Sequence, residues 1–205
     1  MPLPLELDDE HTEILANIKT KLRPGMKLLY ASVTGSRAKK MNSPGSDFDC
    51  LCIVILAKRE YLLQRPIKSE KYIYDDELEG NFIDVLTAYD YAISNNPMIY
   101  EVFGGIPLYK TQAALDIEAL YKSVYQPSKL LMARNGMLVG YKVKKLMKNK
   151  EDPKVTTRKL ACESVYLALL IFYLSENKSS PPPFDVFEIL AGITTLTIPQ
   201  KKMIM

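Results

Sequence analysis

The chain has 205 residues, 47% of them apolar and 25% charged, with a net charge of +3. That length can bury a sizeable core in one large or two small domains, and the mild charge is no sign by itself of a nucleic-acid binder. Three cysteines exclude a disulfide framework and no apolar run reaches the length of a membrane span, so with no evident signal peptide a cytoplasmic setting is expected.

In chain order, Ile14, Leu15, Ile18 and Leu22 recur at helical spacing over His11 to Leu22, and Pro24-Gly25 ends that helix. His11 is the only histidine and stands at the helix start, so a mechanism needing a histidine base finds no support. Lys27 to Thr34 reads as a buried strand running into Gly35-Ser36-Arg37-Ala38, a small-residue turn that opens a short segment with Lys39 and Lys40. Asn42-Ser43-Pro44-Gly45 is a turn cluster. Ser46-Asp47-Phe48-Asp49 then starts a second strand, whose apolar run extends from Cys50 to Ala57. Two residues apart in extended chain, Asp47 and Asp49 leave one face about 7 Å from each other, a spacing that suits hard cations held by oxygen. Cys50 and Cys52 alternate to the opposite face, as buried thiols. A glycine at position 35 lets backbone approach a ligand closely, and N–H groups at a helix start favour phosphate. Phosphate on one side and metal on the other describe a nucleotide site.

Lys58 to Glu70 is polar, with a short helix or loop over Tyr61, Leu62 and Leu63. Lys71 to Tyr74 and Asn81 to Ala88 read as strands around a turn at Asp76 to Gly80, which makes Asp75, Asp76, Glu77 and Glu79 turn acids. In the second of these strands Phe82, Asp84 and Leu86 would share a face. Asp84 is the lone charge of an apolar run and must be paired, solvated or metal-bound. A strand beside Asp47 and Asp49 would put it about 5 Å from them, as a third carboxylate. Asp90 is the alternative.

Ala88 to Ser94 reads as a helix stopped by Asn95-Asn96-Pro97, Met98 to Phe103 as another, and Leu108 to Lys110 as an edge strand or linker after the break at Gly104 to Pro107. From Thr111 the pattern is helical, through Ala114, Ile117, Leu120 and Val124 and a helix entered at Pro127-Ser128. Lys142, Lys144, Lys145, Lys148 and Lys150 form a basic stripe there, either a solvated face or a phosphate-backbone contact. Val155 to Leu174 is a long apolar helix with Arg158 and Lys159 at its entrance.

The Gly-Ser turn and the Asp-x-Asp that opens a strand resemble the DNA polymerase beta superfamily of nucleotidyltransferases. Asn95-Asn96-Pro97 leading to Glu101-Val102-Phe103, Gly140-Tyr141 and Pro182-Pro183-Phe184-Asp185 bring the resemblance closer to the RNA repair pathway DNA polymerase beta family. The resemblance implies an α+β fold: a mixed sheet with flanking helices over residues 1–110 as catalytic domain, and a helical domain over 111–205 that closes the cleft. It implies transfer of a nucleoside monophosphate from an NTP such as ATP to an acceptor hydroxyl, with release of pyrophosphate. Asp47, Asp49 and Asp84 would be the catalytic acids and the ligands of two Mg2+ ions, with Mn2+ as a substitute. Gly35, Ser36, Arg37 and Ser46 would hold the nucleotide. The implied acceptor is an RNA 3′ end; Lys142, Lys145, Lys148, Arg158 and Lys159 are the candidate contacts to it, read from their own basic pattern and not carried over from the resemblance. A protein or small-molecule acceptor, and a silent nucleotide-binding or RNA-binding module, stay open as alternatives.

Overall fold

Apart from Lys27 every residue of Lys27–Val33 (β1) is buried, and so are most of Phe48–Ile55 (β2), which obliges both faces of these strands to be covered. The structure is a computed structural model that describes residues 2–43, 45–63, 70–73, 78–129, 156–178 and 181–204. Glu70–Ile73 (β3), Leu78–Asp84 (β4) and Ile106–Lys110 (β5) complete a five-stranded sheet of order β3-β4-β2-β1-β5. The sheet is mixed: β1 runs antiparallel to β2 and β5, β3 runs antiparallel to β4, and β2 and β4 are parallel. The α+β sheet expected from the sequence is therefore present, and β5 is one of its two edge strands, with β3 at the other edge.

The helix Asp9–Thr20 (α1) starts where Asp8 accepts the His11 N–H, and its buried Ile14 and Ile18 meet one face of the sheet. That face carries Met26, Leu28, Ala31 and Val33 of the β1 region, Phe48, Cys50, Cys52 and Val54 of β2, and Leu78 and Phe82 of β4. The other face is covered by Val85–Ser94 (α4), Pro97–Gly104 (α5) and Gln112–Ser123 (α6), which follow the short helices Gly35–Ala38 (α2) and Lys58–Leu62 (α3) in chain order. Asn96 caps α5 with Pro97 in its first turn, and Thr111 caps α6. Ser32 donates 2.7 Å to the Val102 carbonyl and Thr111 donates 3.0 Å to the Leu29 carbonyl, so both polar groups are satisfied where they are buried. Ile53, Ile83 and Ile99 are fully buried, and burial of each such side chain contributes roughly 1.5–3 kcal/mol.

The chain divides into two compact units, residues 1–124 and 125–205. Helix α6 packs on α4 and β1 and lies in the first unit, so that unit runs past the boundary expected at residue 110. The described part of the second unit contains Thr156–Glu176 (α7), Val186–Gly192 (α8) and Ile198–Ile204 (α9). Tyr166, Leu170 and Ile189 are buried within it. No helix among the described residues is long and apolar enough to cross a membrane.

Candidate active site

β1 ends at Val33, and the chain turns at Thr34 into α2. Thr34 donates both its N–H, at 2.6 Å, and its hydroxyl, at 3.2 Å, to the carbonyl of Asp49. These bonds set the start of α2 beside the first residues of strand β2. Gly35 takes left-handed backbone, φ +63°, and a Cβ added to it would overlap the Asp49 carboxylate, 2.7 Å from Cγ and 2.9 Å from Cβ. Only glycine lets the Asp49 side chain come this close to the α2 backbone, which is the physical content of the Gly-Ser turn.

Asp49 is partly buried, and alternation along β2 points it away from Phe48 and Cys50, which sit in the core with α1. Asp47 is partly buried and lies one residue before β2 begins. Burial, reinforced by Cys52 and by the Asp49 carboxylate, pushes the Cys50 thiol well above its usual range, so the thiols of this strand are packing groups.

The loop that delivers Asp47 is held from both sides. Ser46 accepts the Ser43 N–H on its hydroxyl at 2.9 Å, and Gly45 takes φ +79°. Arg37, expected to meet the triphosphate, donates Nε and Nη2 to the Ser46 carbonyl at 3.1 and 2.7 Å, and its guanidinium carbon stands 3.6 Å from the centre of the Phe48 ring. Phe48 in turn meets the His11 ring edge-on, with 6.4 Å between centroids. Ser36 is partly buried on α2.

Asp84 is not brought to this place. The sequence suggests a strand running on to Ala88, but β4 ends at Asp84, and Asp84 becomes the N-cap of α4 by accepting the Leu86 N–H at 3.1 Å. In the parallel pairing, Asp49 lies opposite Glu79 and Asp84 opposite Val54. Asp84 is thus five residues along from Asp49, about 16 Å of strand, and on the opposite face. There it accepts the Tyr61 hydroxyl at 2.5 Å, while Tyr61 accepts the Leu56 N–H at 3.1 Å. Burial and the bond to Asp84 push the Tyr61 phenol up to about 12. Asp90, the alternative, is exposed on α4.

Sequence reasoning missed Glu79, which the register places beside Asp49 and on its face. The signal was present: Leu78, Gly80 and Phe82 alternate with Glu79 and Asn81, a strand period that begins before the turn had been expected to end. It also missed Tyr61, Thr34 and Phe48, whose roles depend on contacts distant in the chain. Asp75, Asp76 and Glu77, and Lys142, Lys144, Lys145, Lys148 and Lys150, lie outside the described residues. Arg158 and Lys159 fall in α7, with side chains outside the description.

Among the described residues no three His, Cys, Asp or Glu side chains gather to enclose a metal ion. The donor set at the start of β2 nonetheless fits a hard cation. Asp47 and Asp49 would offer it oxygen ligands, and the bare Cα of Gly35 leaves room for the Asp49 carboxylate beside the α2 backbone. One or two carboxylates, with substrate phosphates and water filling the other positions, is the usual protein contribution to a Mg2+ site.

No curated protein matches the chain. A family model does, over residues 7–202, a span that takes in the Gly35 turn, both strand-opening acids and the described helices of the second unit up to Lys202. The chain accordingly belongs to the RNA repair pathway DNA polymerase beta family, a membership that suggests a nucleotidyltransferase.

Proposed function

We propose that this protein transfers a nucleoside monophosphate from an NTP to an acceptor hydroxyl, with release of pyrophosphate, at the site formed by Gly35, Asp47 and Asp49. The observation that carries this reading is the seating of the Asp49 carboxylate against Gly35, because it sets a metal-binding group and a close-approach backbone side by side. Asp47 and Asp49 hold the cations, and Gly35 and Ser36 lie along the triphosphate. Divalent ions bound there, Mg2+ or Mn2+, supply charge neutralisation for the phosphates and a lower pKa for the acceptor hydroxyl. The neighbouring-strand carboxylate on the face of Asp49 is Glu79, and we assign Asp84 to holding the turn from β4 into α4. The family description names an RNA repair pathway, and an RNA 3′ end is the acceptor proposed on that ground.

The test is transfer from each of the four labelled NTPs with Mg2+, offering total RNA and then protein as acceptor. The expected result is label in RNA with one preferred NTP, together with pyrophosphate. Asp49→Asn should lower turnover by about 100-fold or more with an unchanged melting temperature, since it removes charge and not volume. Wild-type turnover in that variant would refute the assignment of Asp49. Label in protein would move the acceptor to a protein hydroxyl, and nucleotide binding without pyrophosphate release would reduce the protein to a binding module.

A further inference from the structure

Asp47 precedes the strand and lies in a loop, so its carboxylate has no ladder of backbone bonds to fix it. Its two chain neighbours are fixed instead. The guanidinium of Arg37 makes a forked pair of hydrogen bonds to the Ser46 carbonyl, the oxygen of the very peptide unit that ends in the Asp47 nitrogen, and it stacks at 3.6 Å on the ring of Phe48. Phe48 is buried in the core shared with α1, which makes it a rigid base. A planar fork and a flat face that serve a carbonyl and an aromatic ring together are properties of arginine and not of lysine. A guanidinium used in this way has two of its donors and its face directed at the protein.

We propose that Arg37 is a positioning residue, which holds the Asp47 carboxylate in place for the metal by gripping Ser46 and Phe48, and that it does not bind the nucleotide. The proposal rests on the metal-dependent reading given above and deepens it. It separates two roles that the Gly-Ser-Arg segment would otherwise share: Gly35 and Ser36 face substrate, and Arg37 orders the loop.

The test measures Mn2+ binding to the full chain, through the electron paramagnetic resonance of the free ion, in wild type, Asp47→Asn, Arg37→Lys and Phe48→Leu, with melting temperatures recorded alongside. Binding should be lost in Asp47→Asn. Arg37→Lys, which keeps the charge but not the fork, should weaken Mn2+ affinity by about tenfold, the range typical for groups that orient a metal ligand. Phe48→Leu leaves the two hydrogen bonds and should weaken it by a smaller factor, so a folding failure of either variant leaves the other to decide. NTP binding with metal removed should be unchanged in Arg37→Lys. Wild-type Mn2+ affinity in both Arg37→Lys and Phe48→Leu, with Asp47→Asn still defective, would overturn the role of Arg37 alone. Loss of metal-free NTP binding in Arg37→Lys would overturn it in favour of a nucleotide contact. A wild type that binds no Mn2+ would overturn the metal reading beneath it, and the proposal with it.

Discussion

Gly35 and Gly45 both take left-handed backbone, at φ +63° and +79°, but their surroundings differ. A Cβ on Gly45 would meet nothing within 4 Å, so Gly45→Ala carries backbone strain only, about 1 kcal/mol. Gly35→Ala carries the same strain and must also drive the Asp49 carboxylate from its seat, for a total of about 2–3 kcal/mol. Gly35→Ala should therefore lower the melting temperature more than Gly45→Ala does, and only Gly35→Ala should abolish Mn2+ binding. Equal effects in melting curves and ion titrations would mean that Gly35 is an ordinary turn glycine. The places of Gly35 and Asp49 were legible in the sequence because both lie at the ends of strong apolar runs, which fixes where the chain turns; that the open side of Gly35 takes the Asp49 side chain was not, since a glycine there reads as room for a ligand. The partner of Arg37 was not legible. A basic side chain after a phosphate-type turn can face a ligand or a backbone carbonyl with equal chemical sense, and here the carbonyl of Ser46 takes it.

Strands show the same limit at the scale of elements. β1, β2 and β5 follow from apolar runs between glycine and proline breaks, as do α1 and α5 from helical spacing and caps. β4 differs from the expected strand at both ends: it begins at Leu78 and not at Asn81, and it stops at Asp84, which reads as the middle of an apolar run while its side chain bonds the Leu86 N–H and starts a helix. Register then decides which acid faces the site, and one sequence does not state which residues of two parallel strands lie opposite each other. A second element-scale device is Glu176 at the end of α7, whose carboxylate accepts the N–H and hydroxyl of Thr194, at 2.6 and 2.8 Å, and those of Thr195, at 3.2 and 2.5 Å. These bonds, led by the Thr195 hydroxyl, hold its pKa down to about 2 from an ordinary 4.5. A depressed carboxylate contributes stability that is complete above the unfolded value and is lost as the pH falls through the folded one. Glu176→Gln should accordingly melt below wild type near neutral pH, and the gap should close between about pH 4.5 and pH 2. A gap that stays constant in melts across that range would show that the charge on Glu176 does not contribute.

At the scale of the whole molecule, the first unit has a covered sheet within its own described residues. In residues 1–124 the sheet is covered on one face by α1 and on the other by α4, α5 and α6, and Asn95 at the end of α4 donates 3.0 Å to the carbonyl of Val124 at the end of α6. A domain of about 100–150 residues with such a core is of ordinary size to fold alone. A chain ending at Val124 is therefore expected to melt cooperatively and, since Asp47, Asp49 and Gly35 all lie within it, to bind Mn2+ with wild-type affinity. A chain ending at Lys110 makes the informative comparison. It lacks α6, whose buried Ala114, Ile117 and Tyr121 belong to the helices that cover the second face, and it lacks the Thr111 hydroxyl that satisfies the Leu29 carbonyl. Apolar sheet surface left bare in this way favours aggregation over a unique fold, so that chain should show no cooperative transition. Cooperative melting of both truncated chains, followed by circular dichroism, would return the boundary to residue 110. Failure of the longer chain to fold would mean that residues 1–124 depend on the remainder for stability. Cooperative melting of the longer chain alone, with Mn2+ bound, would make α6 part of the fold that carries the site.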